Sequence, residues 1–190
     1  MDCFHGGNFI LGGIVLSEEK YIAAGLDLAN GCHETYMQTA SGIGPESFSW
    51  QDNATSSSGP PSNQAEFYAK AGFWIGNSIY DLRPEVIESW YYAYRVTGDS
   101  TYQDWAWTAF EQIRDICQAG VGFSAVSDVM QTDGGDKLDA QESFWFAEVL
   151  KYSYLIHAGE SDFQVKTSGN KFVYNTEAHP VAVAAGASHK

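Results

Sequence analysis

Three glutamates in the chain are each followed by a serine and an aromatic residue: Glu46-Ser47-Phe48, Glu88-Ser89-Trp90 and Glu142-Ser143-Phe144. A carboxylate beside an aromatic face suits sugars, because the ring stacks on a pyranose while the carboxylate accepts from its hydroxyls. Paired carboxylates are also the machinery of glycosidic hydrolysis, one as acid and the other as base. Glu85 lies three residues before Glu88, so both project from one side of a first helical turn, with Arg83 just ahead of them. A glutamate there is also favoured by the helix dipole without any function. Near the C-terminus, Asn175-Thr176-Glu177-Ala178-His179-Pro180 separates two short apolar runs and reads as a hairpin with a polar tip. Thr176 in that tip offers a hydroxyl and a carbonyl, two hard oxygens of the kind Ca²⁺ or Mg²⁺ prefers. His5, His33, His157 and His179 have no ligand spacing and read as structural.

The elements that must position these groups are mostly helical. The glycine pairs Gly6-Gly7 and Gly12-Gly13 suggest turns on either side of a buried run, ahead of a first helix from Ser17, as cap, to about Thr39. Residues 40–62, rich in Gly, Pro and Ser, read as loop, followed by a short helix over 63–71. Pro84 and Glu85 open a strong helix to Val96, closed by Gly98, and a second helix from Tyr102 to Cys117 packs back on it. A weak strand pair over 120–129 and a turn at Asp133-Gly134-Gly135-Asp136 precede the longest helix, Asp139 to Ala158, which directs Phe144, Phe146, Leu150, Tyr154 and Leu155 toward a core. The spacing of the three tripeptides is compatible with successive helical hairpins whose equivalent ends face one place. The pattern is therefore all-α dominated, a helical array or toroid with β decoration.

With 24 acidic against 10 basic residues and a net charge of −14, the chain repels phosphate, so nucleic acid and anionic membranes are excluded as partners. No apolar run reaches the roughly 20 residues of a membrane span, and Met1–His5 does not resemble a signal peptide. Asn53-Ala54-Thr55 is an acceptor sequon in a polar stretch. Cys3, Cys32 and Cys117 lack zinc-site spacing, and one disulfide plus a leftover thiol is the simplest arrangement.

Taken together, Leu82-Arg83-Pro84-Glu85 with Glu88-Ser89, Tyr94-Arg95-Val96-Thr97-Gly98-Asp99, Gln141-Glu142-Ser143-Phe144 with Glu148-Val149-Leu150-Lys151-Tyr152, and Asn175-Thr176-Glu177-Ala178-His179-Pro180 resemble glycoside hydrolase family 47. These are the class I α-1,2-mannosidases, and the fungal secreted members are the most similar. The resemblance implies an (α/α)7 barrel closed by a C-terminal β-hairpin plug, of which residues 1–190 would be the C-terminal portion of a single catalytic domain. It implies a Ca²⁺-dependent inverting enzyme acting on high-mannose oligosaccharides or glycoproteins in the secretory pathway or outside the cell, monomeric when complete and without membrane contact in this segment.

Residue by residue, it implies that Glu85 is the general base, Glu46 a further active-site acid and Thr176 the Ca²⁺ ligand. Glu148 and Glu177 would hold the ion's water shell. Arg83, which would keep Glu85 ionised, joins Glu88 beside the base and Phe144 under the terminal mannose. Cys3 and Cys32 match the family's disulfide, leaving Cys117 free. The family's general acid and a further catalytic aspartate have no counterpart motif here, so the segment alone is expected to be inactive and to expose apolar faces. The alternatives are a non-catalytic mannose-binding or glycoprotein quality-control module of the same fold, and a different toroidal glycosidase.

Overall fold

Both glycine pairs of the opening segment lie inside a helix rather than in two turns. In the computed structural model, which describes residues 2–52, 59–175 and 177–184, α1 spans Phe4–Leu16 and α2 spans Glu19–Met37. The glycines of α1 cost propensity, but they let helices approach where a side chain would not fit. A Cβ on Gly25 of α2 would lie 2.6 Å from the carbonyl oxygen of Gly6, so this contact is backbone against backbone. Ser17 is not the cap of α2; it takes the left-handed conformation (φ 55°) and ends α1. The polar run with the sequon Asn53-Ala54-Thr55 lies outside the described residues, as does Thr176.

After a single 3₁₀ turn at Ser62–Gln64 come α3 (Ala65–Ala71), α4 (Glu85–Thr97) and α5 (Thr101–Cys117). Gly98 closes α4 at φ 69°, its N–H donating to the Tyr94 carbonyl, the glycine stop expected there. The long helix predicted from Asp139 is shorter and different in kind. A π-helical turn covers Trp145–Val149, and α6 runs only from Leu150 to His157. Glu142 lies ahead of it in a turn, its carbonyl accepting from the Trp145 N–H. Phe146 and Tyr154, assigned to the core on periodicity, are 60% and 70% exposed. The π turn adds a residue to the repeat and rotates the following faces, which a 3.6-residue pattern does not anticipate.

The chain divides into two units. The first collects Met1–His33, Leu82–Glu111 and Glu142–Lys190. Its core is the buried face of α4, with Ile87, Trp90 and Tyr91 almost fully enclosed, together with Trp145, Tyr152 and Ile156. Trp90 Nε1 donates to the Ala29 carbonyl of α2 (3.2 Å), and its ring meets Trp105 of α5 edge-on. The Ser89 hydroxyl, fully buried, donates to the Cys3 carbonyl and accepts from the Gly7 N–H. Those two α1 groups stand four residues apart and would otherwise bond each other. Ser89 thus ties α4 into the first turn of α1. Beside that turn the Cys3–Cys32 disulfide joins α1 to α2, with Cα atoms 5.9 Å apart. The unit also holds an antiparallel hairpin, Phe172 opposite Ala182 and Tyr174 opposite Pro180.

The second unit comprises Glu34–Asp81 and Gln112–Gln141. It contains two two-stranded antiparallel sheets, β1 (Ser47–Ser49) with β2 (Trp74–Asn77) and β3 (Gln118–Ala119) with β4 (Gly122–Phe123). The Gln64 amide grips both backbone groups of Ile75 at 2.8 and 2.9 Å. In the hairpin of the first unit the strands are β5 (Phe172–Tyr174) and β6 (Pro180–Ala182). Among the described residues no helix is long and apolar enough to cross a membrane.

The disulfide closes a sequence separation of 29 residues, for which loop-closure entropy corresponds to about 3–4 kcal/mol. Replacing Cys3 and Cys32 together by alanine should lower unfolding stability by about that amount in urea titration. Cys117, fully buried with its thiol pushed up to about 12 by that burial, should stay inert to a thiol reagent until the chain unfolds.

Candidate active site

Inside the first unit lies an open cleft of about 570 Å³. One wall is α1, which presents Phe4, Gly7, Asn8 and Leu11, spaced as one helical face. Gly7 is required there, since a Cβ would stand 2.5 Å from the Tyr92 ring. The opposite wall is α4, presenting Glu85, Glu88 and Tyr92, again one face. Arg83 and Pro84 lead into it from Leu82, a buried leucine held at φ 55°. A leucine in that conformation costs about 1–2 kcal/mol and persists where its surroundings over-determine it. Phe144 and Glu148 enter from the π turn, and Tyr174, Asn175 and Glu177 from the hairpin.

Six of the residues expected at a site therefore meet along this cleft: Arg83, Glu85, Glu88, Phe144, Glu148 and Glu177. The Arg83 guanidinium lies over the Phe144 ring, 5.2 Å from its centroid, which fixes the ring plane by a cation–π contact. Glu46 lies in the second unit, one residue before β1, where its N–H donates to the Ile79 carbonyl. The three Glu-Ser-aromatic tripeptides do not occupy equivalent places. Ser47 and Phe48 lie in a strand, Glu88-Ser89-Trp90 in α4 and Glu142-Ser143-Phe144 before the π turn. Their likeness is one of composition, and in α4 the serine serves packing while the glutamate faces the cleft.

The hairpin tip is built by Asn175. Its side-chain oxygen accepts from the N–H groups of Glu177 (3.1 Å) and His179 (2.9 Å), and its backbone N–H donates to the His179 carbonyl. This Asx turn carries Glu177 into the cleft. Tyr152 was not anticipated as a site residue. Its hydroxyl donates to Glu88 Oε1 at 3.0 Å from α6, four residues beyond Glu148.

Electrostatics sets the cleft apart. Burial pushes the Glu88 carboxyl up to about 8, opposed by the Tyr152 hydrogen bond and reinforced by repulsion from Glu148 and Glu85. Glu148, 5% exposed, is raised to about 7 by burial first, then by Glu177 and Glu85, with Lys151 and Arg83 opposing. Both carboxyls are thereby shifted toward the protonated form, Glu88 further than Glu148. A divalent cation would relieve that repulsion, and carboxylate oxygens are the donors Ca²⁺ takes. Among the described residues no three His, Cys, Asp or Glu side chains are grouped closely enough to ligate an ion directly.

The family model for glycosyl hydrolase family 47 matches residues 1–183. The chain belongs to glycosyl hydrolase family 47. Among family 47 relatives, mannosyl-oligosaccharide alpha-1,2-mannosidase 1B of Emericella nidulans is 54% identical over 184 residues, 96% of this chain and 35% of that protein. The mannosyl-oligosaccharide alpha-1,2-mannosidase of Penicillium citrinum is 54% identical over 185 residues, covering 97% and 35%. The solved structure of the alpha-1,2-mannosidase from Trichoderma reesei superposes with a TM-score of 0.93 at 59% identity, over 96% of this chain and 38% of that one. This family 47 chain spans about a third of the length of the curated relatives it matches.

The raised Glu88 carboxyl makes stability depend on pH. Its folded-state value lies above its unfolded one, so its contribution is full below about 4.5 and is lost as pH rises through about 8. In chelator, thermal or urea unfolding should show stability falling across that window, by up to about 5 kcal/mol for this group. The Glu88→Gln variant should show a visibly flatter profile.

Proposed function

We propose that this chain is the base-bearing, Ca²⁺-binding part of an inverting α-1,2-mannosidase that trims terminal mannose from high-mannose N-glycans. The observation that carries the reading is the convergence of Glu85, Glu88, Glu148 and Glu177 on one cleft with the Phe144 ring beside them. In this reading Glu85 takes the proton of the attacking water as general base, and Arg83 orients it. Phe144, braced by the Arg83 guanidinium, stacks under the terminal mannose. Glu88, whose burial favours the protonated form, lies beside Glu85 and is placed to hydrogen-bond a sugar hydroxyl. Glu46, in the motif Gly44-Pro45-Glu46, is assigned a second acidic role in the active site. Thr176 would hold Ca²⁺ through its hydroxyl and carbonyl, and Glu148 and Glu177 would accept from the water around it. The ion, when bound, supplies a hard positive centre that fixes sugar hydroxyls and polarises water.

Both units then belong to one catalytic domain, an (α/α)7 barrel plugged by the β5–β6 hairpin, with the general acid contributed from outside this segment. The chain's share of its relatives' length supports that division, and with it low turnover by the 190 residues alone. A disulfide and fungal glycan-processing relatives support a secretory or extracellular setting. The net charge of −14 favours a neutral polyhydroxyl partner over nucleic acid, and the enzyme is assigned as a monomer.

The test is a chimera in which this segment replaces its counterpart in the Trichoderma reesei enzyme. It should release mannose from a high-mannose oligosaccharide only with Ca²⁺, and the Glu85→Gln variant should lose about 10²–10⁴-fold in kcat. Thr176→Ala should abolish the Ca²⁺ response. Turnover that survives chelation or the Glu85 substitution would refute the assignment, and glycan binding without hydrolysis would favour a non-catalytic mannose-binding module.

A further inference from the structure

We propose that Lys151 is a positioning residue that pins the tip of the β5–β6 turn to the helix carrying Glu148, and so sets how Glu148 and Glu177 face a bound cation. The consequence for the cation rests on the mannosidase reading; the clamp itself rests on geometry. Lys151 Nζ donates to the Ala178 carbonyl at 2.9 Å. An ammonium on a carbonyl is a charge-assisted bond, roughly twice as strong as a neutral one. Ala178 is fully buried and takes φ 54°, a left-handed conformation that alanine adopts only under constraint. It reverses the chain immediately after Glu177, and its N–H donates to the Asn175 carbonyl at 2.9 Å. Asn175 therefore closes the turn on itself, and Lys151 fastens it to α6.

The placement of the lysine gives this bond its effect. Lys151 follows Glu148 by three residues and lies near enough to act against the burial-driven rise of the Glu148 carboxyl. The π turn and α6, continuous in the chain, thus carry a carboxylate of the cleft and the anchor of the turn that carries another. Without the anchor, a buried carbonyl loses its donor and the left-handed alanine loses a constraint, so the turn opens more often.

The full 190-residue chain tests this with Lys151→Met, which keeps length without charge, and Lys151→Arg, which keeps charge and donors. Amide hydrogen exchange measured in chelator should show Glu177, Ala178 and His179 exchanging about tenfold faster in Lys151→Met, while the α4 amides keep their protection. Calorimetric titration should show the Ca²⁺ Kd of the same variant raised about tenfold, with Lys151→Arg restoring most of both. Unchanged exchange at the tip overturns the clamp, as does loss of protection throughout α4, which would make Lys151 a support of the whole unit. Faster exchange with an unchanged Kd overturns its bearing on the cation. A native chain that binds no Ca²⁺ refutes the metal reading instead, and the exchange result then decides the clamp by itself.

Discussion

A single hydroxyl governs how the cleft is walled. Ser89 stands between the Cys3 carbonyl and the Gly7 N–H, in the place of a hydrogen bond α1 would make within itself. Because the groups are buried, either would be costly to leave unpaired, so α1 and α4 cannot slide without losing both bonds. The disulfide at Cys3 holds the same turn of α1 to α2. With these two constraints in place, Phe4, Asn8 and Leu11 face Glu85, Glu88 and Tyr92 across the opening. The residue next to Ser89 in each direction does different work: Glu88 points into the cleft and Trp90 into the core, its indole N–H on the Ala29 carbonyl.

The cleft concentrates acid where burial already penalises charge. Four glutamates line it with Arg83 as the lining cation, and two of them, Glu88 and Glu148, are pushed toward neutrality. A fold that keeps such a group pays stability at neutral pH for it, which is the common signature of a site shaped for a ligand. In its protonated form Glu88 can donate a hydrogen bond, and an approaching cation would favour the ionised, accepting form of Glu148. The Tyr152 hydroxyl on Glu88 keeps this carboxyl in one orientation. Orientation and protonation state are thus supplied by different elements, α6 and the enclosing walls.

Much of this was legible in the chain itself. Pro84 with Glu85 and the stop at Gly98 mark α4 nearly to the residue, and the alternating apolar runs around Asn175 mark the hairpin. The two acids of α4 follow from their spacing alone, because residues three apart share a helical face whatever surrounds them. The motif resemblance identified the Cys3–Cys32 pair, which the structure contains. What failed were readings that treated local propensity as decisive. Gly6, Gly7 and Gly13 suggest turns, yet α1 is helical because close packing against α2 and α4 repays the cost of glycine. The recurrent tripeptide suggested equivalent helix ends, but Ser47 and Phe48 pair in a strand.

The sequence by itself determined the family, the helical class, the acidic character and the charged groups that meet in the cleft, because these depend on residue type and on spacing within one element. Only the tertiary structure decided that burial pushes Glu88 toward its protonated form, that Tyr152 and Lys151 reach across to Glu88 and to the hairpin turn, and that a π turn presents Glu148 while Phe146 faces solvent. Those outcomes depend on desolvation and on contacts between residues far apart in the chain, Glu88 and Tyr152 being 64 positions distant. Neither periodicity nor composition encodes such contacts, since each arises only when separate elements close on one another and exclude water from between them.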